Sequence, residues 1–218
     1  MIGTKRYAEK GWGTVMQRKG KILGMVQFSI LLALLAVFCF TPLGQIPVGP
    51  VVATLAMLPV IVTAIAMGPA AGSIMGGFAG LFSLVVWTFM PPNPALAFIF
   101  SPFYSLEEHQ GGMESLLICI IPRILVGTVA GLVHRLLKKL GENNPVRYAL
   151  AGALGSLTNT VLVLGGIWLF FGDQYATVLG APLLSIIGLT VLTNGLPEAV
   201  VSAIVAPAVG IPLAKIKK

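Results

Sequence analysis

Charge is scarce in this chain. Only 10% of its 218 residues are Asp, Glu, Lys or Arg, against about 25% in soluble domains. The acids are too scattered to form a carboxylate pair for acid–base catalysis, and no run of acids suggests a proton path. HExxH, GxSxG and the phosphate-cradling GxxxxGKS/T are all absent, which leaves no evident hydrolase or ATPase chemistry. Cysteine is nearly absent too. Cys39 and Cys119 stand alone in apolar runs with no CxxC spacing, so they read as small core residues rather than a disulfide or a metal site. His109 and His134 fall at opposite ends of the layout derived below, so no shared metal and no cofactor are expected.

What is abundant is apolar surface. Hydrophobic residues make up 56% of the chain, and the mean hydropathy is +0.94. A soluble fold of this size leaves much of its surface in water and cannot hide that fraction. The sequence is therefore that of an all-α integral membrane protein. The net charge of +7 does not point to nucleic acid, because most basic residues sit at the ends of apolar runs.

Residues 1–21 read as a basic cytoplasmic tail with Lys5, Arg6, Lys10, Arg18, Lys19 and Lys21. Met16 offers an alternative start. The first apolar run, Ile22 to Phe40, is full length and reads as a retained span rather than a cleaved signal. Three prolines and two glycines in residues 41–50 argue against regular helix there. A second span is expected over Val51–Met67 and a third over Ala70–Met90, joined tightly at Gly68-Pro69. Gly68, Gly72, Gly76 and Gly80 recur at steps of four, forming one face where a neighbouring backbone packs closely.

The connection from Pro91 to Gly112 is long, and loops of that length in compact proteins are usually functional or disordered. Beyond Asn93, its Phe98, Phe100, Phe103 and Tyr104 favour a packed lid over a floppy tether, with interface anchoring as the alternative, and Glu107 and Glu108 follow them. Further spans are expected over Met113–Leu137, Val146–Phe171 and Ser185–Ala214, with a turn at Gly172-Asp173-Gln174 and a basic tail at 215–218. Lys and Arg fall in both tails and around the fourth-to-fifth loop, and the remaining loops have none. Six transmembrane helices spanning 22–214 with both termini cytoplasmic satisfy the positive-inside rule, placing the chain as a multi-pass protein of the cell membrane.

One stretch stands out. Arg123 lies inside an apolar run from Leu116 to Val133, and an ionisable residue in a membrane segment marks a functional site by default. It precedes Arg135 by twelve residues, and Asn159 follows Arg147 by twelve, about 18 Å along a helix in each case. On consecutive antiparallel spans the two side chains come level, which predicts that both face one cavity open to the outer side. Glu198 is a second charge in the membrane, and Asn194 shares its face at the i,i+4 spacing. A plainer reading makes Arg123 and Glu198 an internal ion pair in a structural protein. Asn159 alone would serve as helix glue, and Trp87 and Trp168 as interface anchors.

The architecture resembles the substrate-binding S-components of energy-coupling factor (ECF) vitamin transporters. The sharper matches are Ile46-Pro47-Val48-Gly49, Gly68-Pro69-Ala70-Ala71-Gly72, Pro122-Arg123-Ile124-Leu125-Val126-Gly127 and Gly155-Ser156-Leu157-Thr158-Asn159-Thr160. Together they are similar to the pantothenate-specific branch. The resemblance implies a protein that captures a vitamin outside and works with a transmembrane coupling subunit and two ATPases. It implies that Arg123 and Asn159 bind ligand. Glu198, Asn194, Trp87, Asn93, Phe98 and Tyr104 complete the expected substrate set. The family docks its coupling subunit through small residues on the first helix, for which Ser29 and Ala33 are the nearest match here. Within the family nicotinate is the next candidate ligand, since it has a carboxylate and a ring able to stack on Trp87. Riboflavin follows, though a neutral ring system makes little call on Arg123.

Overall fold

The computed structural model describes residues 3–48, 51–106 and 109–216, with side chains over 22–44, 55–105 and 110–215. The side chains of the N-terminal basic residues, of 45–50 and of His109 lie outside that range, as do Glu107, Glu108, Lys217 and Lys218.

Helix dominates. In order, α1 is Gly3–Phe40, α2 Met57–Met67, α3 Pro69–Phe89, α4 Ala97–Phe100, α5 Met113–Leu136, α6 Pro145–Leu179, α7 Leu183–Thr190 and α8 Leu196–Ile216. Five stretches are long and apolar enough to cross a membrane: Ile22–Phe40, Pro69–Phe89, Met113–Leu140, Pro145–Leu179 and Leu183–Lys215. The expected second span is shorter than the sequence suggests. Val51–Thr54 is not helical but forms strand β2, paired antiparallel with β1, Gln45–Val48, after a 3-10 turn at Pro42–Gly44. Pro47 and Pro50 deny the segment a helical hydrogen-bond ladder, and the β-branched residues at 48, 51 and 52 suit an extended backbone. The helix α2 that remains has 11 residues, about 16 Å of rise. Eight of them, including Val60, Ile61 and Ala64, are buried, because α3, α5, α6 and α8 all pack around it.

The stripe on α3 is internal. A side chain at Gly76 would meet the Arg123 carbonyl oxygen, and one at Gly127 on α5 would meet the Gly72 carbonyl. The glycines thus allow two backbones to touch at the level of the buried arginine. Gly68 is not part of that face. It turns the chain between α2 and α3 at φ 97°, a left-handed geometry that favours glycine.

Two expected boundaries move. No turn interrupts 172–174: α6 continues to Leu179, with a local break at Phe171 (φ −129°, ψ 15°). Gly180, at φ 64°, ends it, so the last span starts at Leu183 and reaches Ile216 through a π turn at Val191–Gly195. The long connection after α3 is folded. It holds a 3-10 turn at Pro94–Leu96, the single turn α4, and the paired strands β3, Ser105–Leu106, and β4, His109–Gln110. Ser115 ties it down, donating to Phe98 O at 2.7 Å and accepting from Gly112 N at 3.2 Å.

At the opposite end the α5–α6 turn is clamped. Arg147 Nε donates to His134 O at 2.8 Å and Tyr148 Oη to Glu142 O at 2.7 Å. A cleft there is lined by these residues together with Ile65 and Ala66 from the end of α2 and Leu213 and Ala214 from α8.

Candidate functional site

Pro122 interrupts α5 and sets the chemistry of its neighbour. A proline has no backbone N–H, so the carbonyl four residues back loses its helical partner. That carbonyl belongs to Ile118, and Arg123 Nη1 donates to it at 2.8 Å. The Pro122-Arg123 pair thus supplies both the freed acceptor and the donor that takes it. Arg123 is 6% exposed. Its Cζ lies 5.7 Å from the centre of the Phe100 ring, within the range of a cation–π contact. Its Nε has no hydrogen-bond partner among the described residues. Such a buried donor costs free energy until something accepts from it.

Arg123 faces a cavity of about 100 Å³, space for several waters. The cavity lies at the end of the bundle where α1 finishes and α2 begins, with Cys39, Ala56 and Met57 in its wall. Asn159 of α6 and Asn194 and Glu198 of the last span line it, as does Trp87 at the end of α3. Asn159 Oδ1 and Asn194 Oδ1 are buried with no partner among the described residues.

The π turn explains how one helix contributes so much. Thr190, Asn194, Gly195 and Glu198 all reach the cavity. In a regular α-helix, positions eight apart diverge by roughly 80° around the axis. Hydrogen bonds to the fifth residue widen the turn and take up much of that divergence. The turn also brings Gly195 against Thr160 Cγ2, which a Cβ would meet at 2.7 Å, so the wall from α6 to α8 is continuous.

The cavity thus gathers five of the expected site residues, Arg123, Asn159, Asn194, Glu198 and Trp87. Three others sit elsewhere. Asn93 caps the 3-10 turn, its Oδ1 accepting from Ala95 N at 3.1 Å. Phe98 is fully buried edge-on to Phe171 at 5.8 Å, committed to the core of the lid. Tyr104 packs at the margin of that core. The lid aromatic that does reach the cavity is Phe100, stacked on Trp87 at 4.5 Å. Only the pairing of α4 with the end of α3 selects it over its aromatic neighbours. Pro92, Ser83 and Thr190 also line the wall; of these, Thr190 was open to discovery from the sequence, one turn before Asn194. Ser29 and Ala33 lie on the exposed side of α1.

The matching family model is that of the ECF transporter substrate-specific component, over residues 24–210. The chain is an ECF transporter S-component. It is also 37% identical over 161 residues to the pantothenic acid transporter PanT of Lactococcus lactis subsp. cremoris (strain MG1363), covering 73% of this chain and 76% of that protein. An S-component is a multi-pass subunit of the cell membrane and a transport protein, not an enzyme. It takes a vitamin-class substrate and works with an ECF energising module. In this S-component the cavity is lined by Arg123, Asn159 and Asn194, each with a buried polar atom that has no partner among the described residues.

Proposed function

We propose that this S-component captures pantothenate from the outer side of the membrane and releases it inward with a separate ATP-hydrolysing module. The observation that carries the reading is the set of polar groups that share the cavity. α6, which carries Asn159, packs against both α5 and α8, and Asn159 lines the same cavity as Arg123, Asn194 and Glu198. Pantothenate has a carboxylate at one end, an amide in the middle and two hydroxyls at the other end. A buried guanidinium suits the carboxylate. The Asn159 amide can donate to and accept from the ligand's amide, and Asn194 and Glu198 suit the hydroxyls. Trp87 and Phe100 would cover the ligand's apolar middle. The name of the lactococcal relative supports the same substrate.

The orientation follows from charge. Arg135, Lys138, Lys139 and Lys215 are exposed at the end remote from the cavity, which assigns that end to the cytoplasm. That α2 runs from the cavity wall at Met57 to the inner cleft at Ala66 supports reading it as the sixth crossing. The energising partners are a transmembrane coupling subunit, docked along Ser29 and Ala33 of α1, and two ATPase subunits.

The test is calorimetric titration of the purified protein in detergent with pantothenate, nicotinate and riboflavin, beside Arg123→Ala. Saturable binding of pantothenate alone, lost in a variant that melts as a folded protein, is expected. Tight binding of nicotinate or riboflavin with no pantothenate binding overturns the substrate. Collapse of the fold in Arg123→Ala would instead favour a structural ion pair.

A further inference from the structure

The π turn carries two linked hydrogen bonds that end on the Asn194 amide. Thr193 Oγ1 donates to Leu189 O at 2.9 Å, four residues back. Its single proton is thereby used, and its oxygen can only accept. Asn194 Nδ2 donates to that oxygen at 3.3 Å. The two ends of an Asn amide have nearly the same shape, so its orientation is set by the partner on one side. With Thr193 demanding a donor, the NH2 group turns toward Thr193, and Oδ1 is the end left over on a side chain that lines the cavity. This oxygen is buried with no partner among the described residues. It is an acceptor for which no described residue supplies a donor.

We infer that Thr193 is a positioning residue for substrate selection: through Leu189 and the π turn it locks Asn194 as an acceptor, so this wall recognises hydrogen-bond donors on the ligand. The inference rests on the pantothenate reading, in which those donors are the hydroxyls at the end remote from the carboxylate. It also gives a reason for excluding nicotinate. A carboxylate with no donor at its far end would satisfy Arg123 and leave Asn194 Oδ1 buried and unpaired, the strongest form of rejection available to a polar site. Without the Thr193 acceptor the amide can rotate and present either end, and the selection is lost.

The test compares pantothenate with N-(3,3-dimethylbutanoyl)-β-alanine, which is pantothenate with both hydroxyls replaced by hydrogen. Affinities are measured for wild type, Thr193→Ser, Thr193→Val, Asn194→Leu and the Thr193→Val/Asn194→Leu double variant, with thermal melts as the fold control. Wild type is expected to prefer pantothenate, and Thr193→Ser to keep that preference because it keeps the hydroxyl. Thr193→Val is expected to lose about tenfold of it, the worth of one hydrogen bond, by weakening pantothenate and not the deoxy compound. In the Asn194→Leu background Thr193→Val should add nothing. An unchanged preference in Thr193→Val, or equal weakening of both ligands, overturns the relay while leaving the pantothenate reading intact. A wild type that does not bind pantothenate overturns both.

Discussion

Arg123 illustrates how a residue that is expensive to bury can be made specific. One side of its guanidinium is fixed on Ile118 O, another faces the Phe100 ring, and Nε is left without a partner among the described residues. Lysine offers no planar fork. Arg123→Lys is therefore expected to weaken pantothenate binding at least tenfold while leaving the melting temperature close to wild type, as titration and a thermal shift assay would show. Pro122 makes a sharper case. Proline inside a helix costs about 3 kcal/mol, and Pro122→Ala restores the N–H that competes with Arg123 for Ile118 O. The variant is expected to melt higher and bind more weakly, a trade of function against stability. A variant that melts higher and binds as tightly as wild type would show that the freed carbonyl does not orient the guanidinium.

At the scale of elements, the α3–α5 contact sets the position of the arginine. The Arg123 carbonyl lies where a side chain on Gly76 would stand, so helix spacing sets where the arginine's backbone stands. Gly76→Val is expected to wedge the helices apart, destabilising the fold by about 1–3 kcal/mol. It should also weaken binding more than Gly77→Val, whose site meets nothing within 4 Å; equal effects from the two would refute the argument. α1 behaves differently. Its lipid-facing side leaves Met25, Ile30 and Val37 exposed along with Ser29 and Ala33. Small residues there let another helix approach. Ala33→Trp should reduce recovery of the assembled complex on co-purification with the energising subunits and leave vitamin binding by the isolated chain unchanged.

For the whole molecule, the cavity and the exposed basic residues lie at opposite ends. The positive-inside assignment predicts a labelling pattern. With Cys39 and Cys119 both buried, a membrane-impermeant maleimide added to intact cells should label Phe103→Cys. It should reach Asn143→Cys only after the membrane is opened. The reverse pattern would invert the topology. The chain also lacks any phosphate-binding loop of its own, so proteoliposomes holding it alone are expected to bind pantothenate without accumulating it. Uptake should require the complete module and ATP.

Membrane residence, the buried Arg123 and its level with Asn159 were legible in the sequence. They depend on composition and on the fixed rise of a helix, which are local and additive along the chain. The Asn194–Glu198 face was legible for the same reason. Other features came only with the folded structure. The sequence could not show that α2 shortens to a central helix, because burial by its neighbours substitutes for length. Nor could it separate Phe100, which reaches the cavity, from Phe98, which fills the lid's core. Two residues apart in one aromatic run, they differ only in which helix they meet. The π turn was hidden as well: a widened turn has no composition of its own, and its effect is a rotation felt at distant residues. The sequence alone thus determined which polar groups fall inside apolar helices and how far along them they stand. Packing decided which of them share a wall, because the rotation of a helix about its axis is set by what it packs against.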